Sequence, residues 1–161
     1  RPGELAQDDT PLEPVIADVL DRWGGPVDVV VVLQPTSPLR TGVQIVEAVN
    51  LLCDRNLDSV FSAVKSHALI WQQGVGASQL NASYTVRSRP NRQDMRQFEE
   101  TGSLYVFTYE HWRKEKCRLG GRLAVYVVGE EHRLQVDTPL DLYLVEKLLT
   151  RQTLCASVST N

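Results

Sequence analysis

The sequence is poor in cysteine and in long apolar runs. Its 161 residues include three cysteines, Cys53, Cys117 and Cys155, which lie far apart and form no Cys-x-x-Cys pair. This number and spacing argue against a disulfide framework and against a zinc site, and they suit a reducing cytosol. No run approaches the roughly 18 apolar residues of a membrane-spanning helix. We therefore expect a cytoplasmic protein with no membrane partner.

A strong excess of one charge is also lacking. The net charge of −3 gives no electrostatic attraction to nucleic acid, so we expect no nucleic-acid partner. Hydrophobic residues make up 42% of the chain and charged residues 23%, as in an ordinary globular protein. The length fits one domain, expected over residues 1–150 and followed by a flexible tail over residues 151–161.

Histidine is scarce as well. His67, His111 and His132 are scattered without the spacing of metal ligands, and no Ser-His-Asp set is recognisable. These residues are typical of surface or hydrogen-bonded core positions.

Helix and strand patterns alternate in the first third of the chain. The stretch Thr10–Glu13 predicts a helix that Thr10 and Glu13 cap and that Gly24 ends. The aliphatic run Val27–Leu33 predicts a strand buried on both faces, as in parallel sheets. Thr41 and Gln44 predict the start of a second helix reaching about Asn56, and Ser59–Lys65 predicts a second central strand. The order is that of an α/β fold.

Residues 66–101 break this alternation and predict a projecting arm. Two short strands are expected, over Leu69–Gln73 and Asn81–Arg87, with apolar side chains that meet a second subunit. The alternation then returns, and the predicted elements are a strand over Gly102–Thr108, a helix over Tyr109–Lys116, a strand over Leu123–Val128, an extended piece over Arg133–Val136 and a helix from Thr138 to about Leu149.

Three groups of polar residues are candidates for a binding site. The first follows the strand Val27–Leu33, because ligands bind beyond the carboxyl ends of strands in open α/β sheets. It comprises Gln34, Thr36, Ser37 and Arg40, held in a stiff proline-rich loop. The alternative is a rigid strand-to-helix connection with Arg40 in solvent.

The other two groups are the arginines of the arm and a single aspartate. Arg87, Arg89, Arg92 and Arg96 suit a carboxylate or phosphate, or else form a solvated face paired with Asp94, Glu99 and Glu100. Asp137 suits Mg²⁺ bound to a nucleotide phosphate, or else is an ordinary helix-start residue.

Four blocks in family order give the chain a resemblance to the acylneuraminate cytidylyltransferases, or CMP-sialic acid synthetases. They are Arg1–Ala6, Leu33–Thr41, Arg92–Asp94 continuing through Glu100–Tyr105, and Val136–Leu142. The resemblance implies a Rossmann-like nucleotide-diphospho-sugar transferase sheet with a dimerisation arm. It implies transfer of CMP from CTP to an acidic 2-keto-3-deoxy sugar, with release of pyrophosphate, by a Mg²⁺-dependent homodimer.

The resemblance also implies roles for particular residues. Gln34 looks like the glutamine that contacts the sugar, and Arg92 like the arm arginine that reads an acidic group across the dimer. Arg1 resembles an arginine near the nucleotide, and Asp137 one of two metal-binding aspartates. Thr101 and Gly102 are expected at the substrate, with Asp137 and Arg92 as the catalytic pair.

The sequence departs from the family pattern at several positions. The glycine-rich basic stretch that cradles the CTP triphosphate has no match, so the fold is expected to be truncated at its N-terminus. Gln135 stands where the first metal aspartate falls, Thr101 replaces an asparagine, and a lysine of the arm falls near Ile70.

Three hypotheses follow from these matches and departures. The first is a CMP-sugar synthetase acting on a sialic, legionaminic or pseudaminic type of acid. The second is a non-catalytic remnant that binds sugar or nucleotide or dimerises. The third is an enzyme for another sugar, such as 3-deoxy-octulosonate.

Overall fold

The computed structural model describes residues 2–74 and 79–158, with the backbone alone for residues 152–158. The described part contains helices and strands in the alternating order expected of an α/β fold. They are α1 (Leu12–Trp23), β1 (Val29–Leu33), α2 (Gly42–Asp54), β2 (Ser59–Ser66), β3 (Trp71–Gln73), β4 (Leu80–Ala82), β5 (Gln97–Thr108), α3 (Tyr109–Glu115), β6 (Leu123–Val127) and α4 (Pro139–Val158). A 3-10 helix spans Glu130–Arg133.

Four strands form the main sheet, in the order β1-β5-β2-β6. Strand β5 is antiparallel to both β1 and β2, whereas β2 and β6 are parallel. Strands β1, β2 and β6 therefore run in one direction, and their carboxyl ends lie at the same side of the sheet. This is where a ligand site is expected in an open α/β sheet.

The prediction that β1 is buried on both faces is confirmed in part, since Val29 and Val31 pack on one hydrophobic cluster and Val30 and Val32 on the other, but none of these residues is fully buried. Within the described residues β1 lies at the edge of the sheet and pairs with β5 alone. Its residues are partly exposed, and Leu33 is 41% exposed. The aliphatic composition of the run indicates that side chains pack on both faces of the strand. It does not distinguish an edge strand from a central strand, because both have the same composition in a short β-branched run.

Successive residues of β5 alternate between two hydrophobic clusters. Leu104 and Val106 pack with Val60 and with Ala48 and Leu52 of α2. On the opposite face Phe107 packs with Ile16 of α1 and Trp112 of α3. Burial of side chains of this size stabilises the fold by about 2 kcal/mol each, so β5 is the central strand energetically as well as in position.

The two predicted helix starts have different outcomes. Thr41 caps α2 as expected, because its hydroxyl accepts a hydrogen bond from Gln44 N and the Gln44 side chain accepts one from Thr41 N. Helix α1 begins after Pro11 without a side-chain cap, so the predicted role of Thr10 is wrong. Glu13 instead forms an ion pair with Arg118. Gly24 ends α1 in the left-handed conformation, as predicted.

Replacing Thr41 with alanine is expected to lower the free energy of unfolding by about 1 kcal/mol, because the cap at the start of α2 is lost. Thr10→Ala is the matched control. Its hydroxyl makes a 3.4 Å contact with Glu4 O at an exposed position, and we expect a change below about 0.5 kcal/mol. Urea unfolding followed by circular dichroism measures both. Equal effects of the two substitutions would contradict the assigned cap.

Several predicted boundaries are also wrong. Strand β5 begins at Gln97, so residues 97–101 of the predicted arm belong to the main sheet. The predicted extended piece Arg133–Val136 begins one residue too early, because Arg133 is the last residue of the 3-10 helix Glu130–Arg133. Helix α4 continues past Leu149 to Val158. Flexibility of residues 151–161 stays a prediction.

The remaining part of the arm carries a small two-stranded sheet of β3 and β4. Trp71 and Tyr84 meet edge to face there, with ring centroids 6.0 Å apart. Residues 75–78 of the predicted arm lie outside the described residues. In the described part of the chain, no helix combines the length and the apolarity needed to cross a membrane. The Cys53 side chain is exposed.

Candidate active site at the carboxyl ends of the strands

A bulge in β5 shapes the centre of the candidate site. The pairing of β2 with β5 passes from Phe61 opposite Tyr105 directly to Ala63 opposite Glu100, so extra residues of β5 are accommodated there. Ser62 fills the irregularity. Its hydroxyl accepts a hydrogen bond from Leu104 N at 3.0 Å and lies 2.7 Å from Thr101 Oγ1. Such bulges redirect a strand and commonly lie next to active sites.

Gly102 lies in this bulge with φ of +66°, in the left-handed region that favours glycine. A Cβ atom at this position would lie 2.7 Å from Gln34 Oε1. It would also lie 3.3 Å from Gln135 Nε2 and 3.4 Å from Gln135 Oε1. The glycine thus leaves the space that two glutamine side chains occupy.

Two uncommitted amides therefore converge over Gly102. In the described part of the chain, neither the Gln34 nor the Gln135 side chain has a hydrogen-bond partner. Each amide offers a carbonyl acceptor and an NH₂ donor. The pair can bind a neutral polar group, such as a hydroxyl or an amide, that presents both a donor and an acceptor.

Arg40 fixes the loop that carries Gln34. Its Nη1 donates to Ser103 O at 2.5 Å, to Ser103 Oγ at 3.1 Å and to Gln34 O at 3.3 Å. Burial lowers the pKa of the Arg40 guanidinium, because its charged form loses hydration. The alternative that placed Arg40 in solvent is wrong, because these hydrogen bonds hold it against β5, and a contact of Arg40 with a ligand stays a prediction. It ties the loop to β5.

Ser37, another residue predicted at the site, is buried in the loop. It is 3% exposed, and its hydroxyl has no hydrogen-bond partner among the described residues. Its backbone N–H donates to Gln34 O at 3.3 Å and closes a turn in the loop. Direct contact of the Ser37 hydroxyl with a substrate does not follow from this placement.

Thr36 brings the segment that ends in Asp137 to the same loop. Val136 N donates to Thr36 O at 2.8 Å. The Asp137 carboxylate is exposed and has no partner among the described residues. The helix-start role that competed for Asp137 is filled by Asp141, whose carboxylate accepts hydrogen bonds from Thr138 N at 2.8 Å and Thr138 Oγ1 at 2.7 Å. Those bonds hold the pKa of Asp141 below its usual value.

The donor set suits a metal ion that arrives with a ligand. No group of three or more His, Cys, Asp or Glu side chains in the described residues could hold an ion by itself. Mg²⁺ usually keeps several waters and is bound by one or two carboxylates together with substrate phosphates. The free carboxylate of Asp137 fits that mode.

The arm arginines lie beyond the carboxyl end of β2. Arg89 and Arg92 line a cavity of about 230 Å³ with His67 and Met95. Arg92 and Arg96 line an adjoining cavity of about 380 Å³ with Lys65 and Phe98. Phe98 and Gly102 are four residues apart in β5, which corresponds to at most roughly 13 Å at about 3.3 Å per residue. The described structure does not bring Arg92 into contact with Gln34, Gly102 or Asp137.

These arginines lack the acidic partners of the competing interpretation. Glu99 pairs with Arg133, Glu100 accepts a hydrogen bond from Tyr105, and Asp94 accepts one from Asn91. Among residues 2–74 and 79–158, no carboxylate forms an ion pair with Arg87, Arg89, Arg92 or Arg96. The cluster is free to bind an external anion.

Sequence comparison finds several similar proteins, among them N-acylneuraminate cytidylyltransferases. The chain is 29% identical to N-acylneuraminate cytidylyltransferase A of Danio rerio, over 94% of this chain and 36% of that protein. It is 30% identical to N-acylneuraminate cytidylyltransferase of Oncorhynchus mykiss, over 81% of this chain and 31% of that protein. This chain is similar to N-acylneuraminate cytidylyltransferases over most of its length. The resemblance derived from the four sequence blocks is thereby confirmed, and the chain spans about a third of the length of these relatives.

Two further comparisons place this relative of the N-acylneuraminate cytidylyltransferases. It is 25% identical to post-translational flagellin modification protein B of Campylobacter coli, over 97% of this chain and 69% of that protein. Its fold matches the crystal structure of 4-diphosphocytidyl-2C-methyl-D-erythritol synthase from Anaerococcus prevotii, with a TM-score of 0.60 and 16% identity over 88% of this chain and 68% of that chain. The predicted Rossmann-like fold is confirmed. No family model matches the sequence.

Two further residues predicted for the site are Thr101 and Arg1. Thr101 is 2% exposed, and its hydroxyl is hydrogen-bonded to the Ser62 hydroxyl and carbonyl. It supports the bulge from inside, and a contact of Thr101 with substrate stays a prediction. The prediction for Arg1 lies outside the described residues.

Sequence reasoning missed two residues that organise the site. Ser62 and Ser103 hold Thr101 and Arg40 in place, but a serine within a strand carries no pattern that distinguishes a structural hydroxyl from a solvated one. Gln135 was noticed as a departure from the family, and the structure places it beside Gln34.

Proposed function

We propose that this chain carries the sugar-binding part of a cytoplasmic cytidylyltransferase that transfers CMP from CTP to a nonulosonic acid and releases pyrophosphate. The observation that carries the proposal is the convergence of two free amides over Gly102 at the carboxyl ends of the strands. The names of the similar proteins supply the substrate class. Legionaminic or pseudaminic acids are included, because both share the acidic 2-keto-3-deoxy core.

In the proposed reaction, the anomeric hydroxyl oxygen of the sugar attacks the α-phosphorus of CTP. The bond to the bridging oxygen of pyrophosphate breaks, and the hydroxyl proton passes to solvent or to a base. Gln34 and Gln135 orient neutral groups of the sugar, and Asp137 would hold Mg²⁺ that neutralises charge on the triphosphate. Positioning by preorganised groups supplies most of the acceleration in this chemistry.

The arm is proposed to serve the site of a second copy. In the described structure, Arg92 contacts none of Gln34, Gly102 and Asp137 in its own chain, and it lines cavities beyond the carboxyl end of β2. The arm also exposes Ile70, Trp71 and Leu80, which a homodimer would cover. In such a dimer, Arg92 of one copy binds the sugar carboxylate held by the other.

A second candidate function is a non-catalytic module that binds sugar or nucleotide. The observation that favours it is the neutral amide of Gln135, which stands two residues before the carboxylate of Asp137 in the same segment. Such a site binds a sugar without activating a triphosphate. Mg²⁺-dependent binding of CTP, measured by calorimetry, distinguishes the two, since the module would show none.

The test is pyrophosphate release by the intact native protein with CTP, Mg²⁺ and a panel of nonulosonic acids. We expect turnover with at least one acid. Arg92→Met is expected to raise the KM for the sugar by about 10- to 100-fold, the loss of one charge-assisted contact, with the KM for CTP unchanged. Arg55→Met, at the far end of α2, is the control and should leave both constants unchanged. Absence of turnover with every acid would refute the enzyme.

A further inference from the structure

One buried histidine joins the two segments that carry the candidate site. His132, in the 3-10 helix Glu130–Arg133, is 7% exposed. Its Nε2 lies 2.7 Å from Gln44 Nε2. Both atoms are nitrogens, so a hydrogen bond between them requires one to donate and the other to accept.

The helix cap decides which nitrogen donates. Gln44 Oε1 accepts a hydrogen bond from Thr41 N at 2.9 Å as part of the cap of α2. This fixes the orientation of the amide, so its NH₂ group faces the imidazole. His132 Nε2 must therefore be the acceptor, which makes the ring neutral with its proton on Nδ1.

The link lies where it can control the position of Asp137. Gln44 is in the first turn of α2, directly after the loop Gln34–Arg40. His132 precedes the segment that runs through Gln135 and Val136 to Asp137. The Val136 N to Thr36 O hydrogen bond is the second tie between the same two segments. The Gln44–His132 hydrogen bond joins the start of α2 to the residues that precede this segment.

We propose that neutral His132 is a positioning residue that, through Gln44, holds the segment bearing Asp137 against the sugar-binding loop, and that protonation of His132 releases the segment. A protonated ring would turn an N–H group toward the NH₂ of Gln44, with no acceptor between them. The meaning of Asp137 for catalysis rests on the proposed function, but the link itself does not.

The surroundings of His132 favour its neutral form. Burial lowers the pKa of the imidazole, and Glu131, 3.5 Å away, opposes this shift without reversing it. Helix α2 presents the neutral Gln44. Of the charged residues on the neighbouring strands, Glu99 of β5 forms an ion pair with Arg133, and the Lys65 side chain of β2 is exposed.

The sign of the pH dependence follows. An imidazole with a lowered pKa in the folded state takes up more protons in the unfolded state, so stability falls as the pH drops below about 6.5. Above that pH the contribution is fully present. The protection of the Val136 amide against hydrogen exchange should fall over the same range.

Gln44→Glu reverses this dependence and provides the test. A carboxylate at this position still accepts from Thr41 N, and it stabilises the protonated imidazole. In the native chain we expect the His132 pKa, followed by NMR, to lie below about 6.5, and the Val136 protection factor to fall at least tenfold between pH 7.5 and 5.5. In Gln44→Glu the pKa should rise above about 6.5, and protection should be retained at pH 5.5.

Two further variants keep the test decisive. His132→Gln preserves an acceptor without a titrating group, so Val136 protection should become independent of pH. Gln72→Glu adds the same charge on the exposed strand β3 and should behave as the native chain does. The proposal is overturned by an unchanged Val136 protection factor in the native chain across this range, or by the same pH profile in Gln44→Glu. No sugar or nucleotide is present, so this outcome is independent of the proposed activity.

Discussion

Replacing Gly102 with alanine is expected to lower the free energy of unfolding by about 2–3 kcal/mol and to abolish sugar binding. Gly102 has φ of +66°, and a non-glycine residue in the left-handed region costs about 1–2 kcal/mol. The added Cβ would lie 2.7 Å from Gln34 Oε1, so either the backbone or the glutamine must move. A misplacement of catalytic or binding groups by about 1 Å can reduce activity about 100-fold. We therefore expect the activity of Gly102→Ala to fall by at least about 100-fold.

Gly42→Ala is the matched control for this prediction. Gly42 begins α2, its φ is not positive, and a Cβ there meets no atom within 4 Å. Alanine should therefore stabilise the fold slightly, by about 0.5–1 kcal/mol, through the unfolded state. Urea unfolding and calorimetric titration with the sugar measure both effects. A Gly102→Ala protein with native stability and native sugar affinity would contradict the assigned geometry.

Replacing Arg40 with methionine is expected to lower the free energy of unfolding by about 2–4 kcal/mol. Ser103 O and Gln34 O would lose a charged donor, and a hydrogen bond of this kind contributes about 1.5–3 kcal/mol. The loop would no longer be tied to β5, so Gln34 should lose its fixed position. We expect sugar affinity to fall at least tenfold. Methionine keeps the apolar stem, so the effect reports the guanidinium itself.

Two comparisons separate the tie from general charge effects. Arg40→Lys should recover only part of the loss, because an ammonium cannot reproduce the planar fork of donors. Arg22→Met removes an exposed arginine paired with Asp18 within α1, and we expect a change below about 0.5 kcal/mol. Urea unfolding distinguishes these outcomes. Arg40→Met with a loss no larger than that of Arg22→Met would refute the role of Arg40 as a tie.

The elements predicted best are those fixed by neighbouring residues. The cap of α2 involves Thr41 and Gln44, and Gly24 ends α1 through its own backbone conformation. Such features depend on a few consecutive residues, so their sequence patterns suffice. The relation to the cytidylyltransferases was also predictable, because four short blocks preserve their order along the chain.

The features predicted poorly depend on residues far apart in the sequence. Arg40 was recognised as a cation, but its acceptor Ser103 O lies on a strand whose pairing could not be deduced from local pattern. Thr101 likewise carries a hydroxyl of the kind that contacts ligands. Only its hydrogen bonds with Ser62 show that it supports the bulge. The position of β1 at the sheet edge was equally inaccessible, since edge and centre share the same aliphatic composition.

Separate hydrogen bonds hold the two parts of the candidate site, the loop with Gln34 and the segment with Asp137. The loop with Gln34 is tied to β5 through Arg40, and the segment with Asp137 is tied to the loop through Val136 and His132. Gly102 leaves the space in which the amides of Gln34 and Gln135 meet. These supports are rigid elements of the sheet and the first turn of α2, which suits a reaction that depends on positioning.

The most direct test of this account is a titration of the ¹⁵N-labelled intact protein with N-acetylneuraminic acid, without CTP so that no turnover occurs, followed by NMR. The account predicts saturable shifts of the Gln34 and Gln135 side-chain amides and of the Gly102 backbone amide. It also predicts that these shifts disappear in Gly102→Ala. Binding of the sugar that leaves all three groups unperturbed would contradict the account.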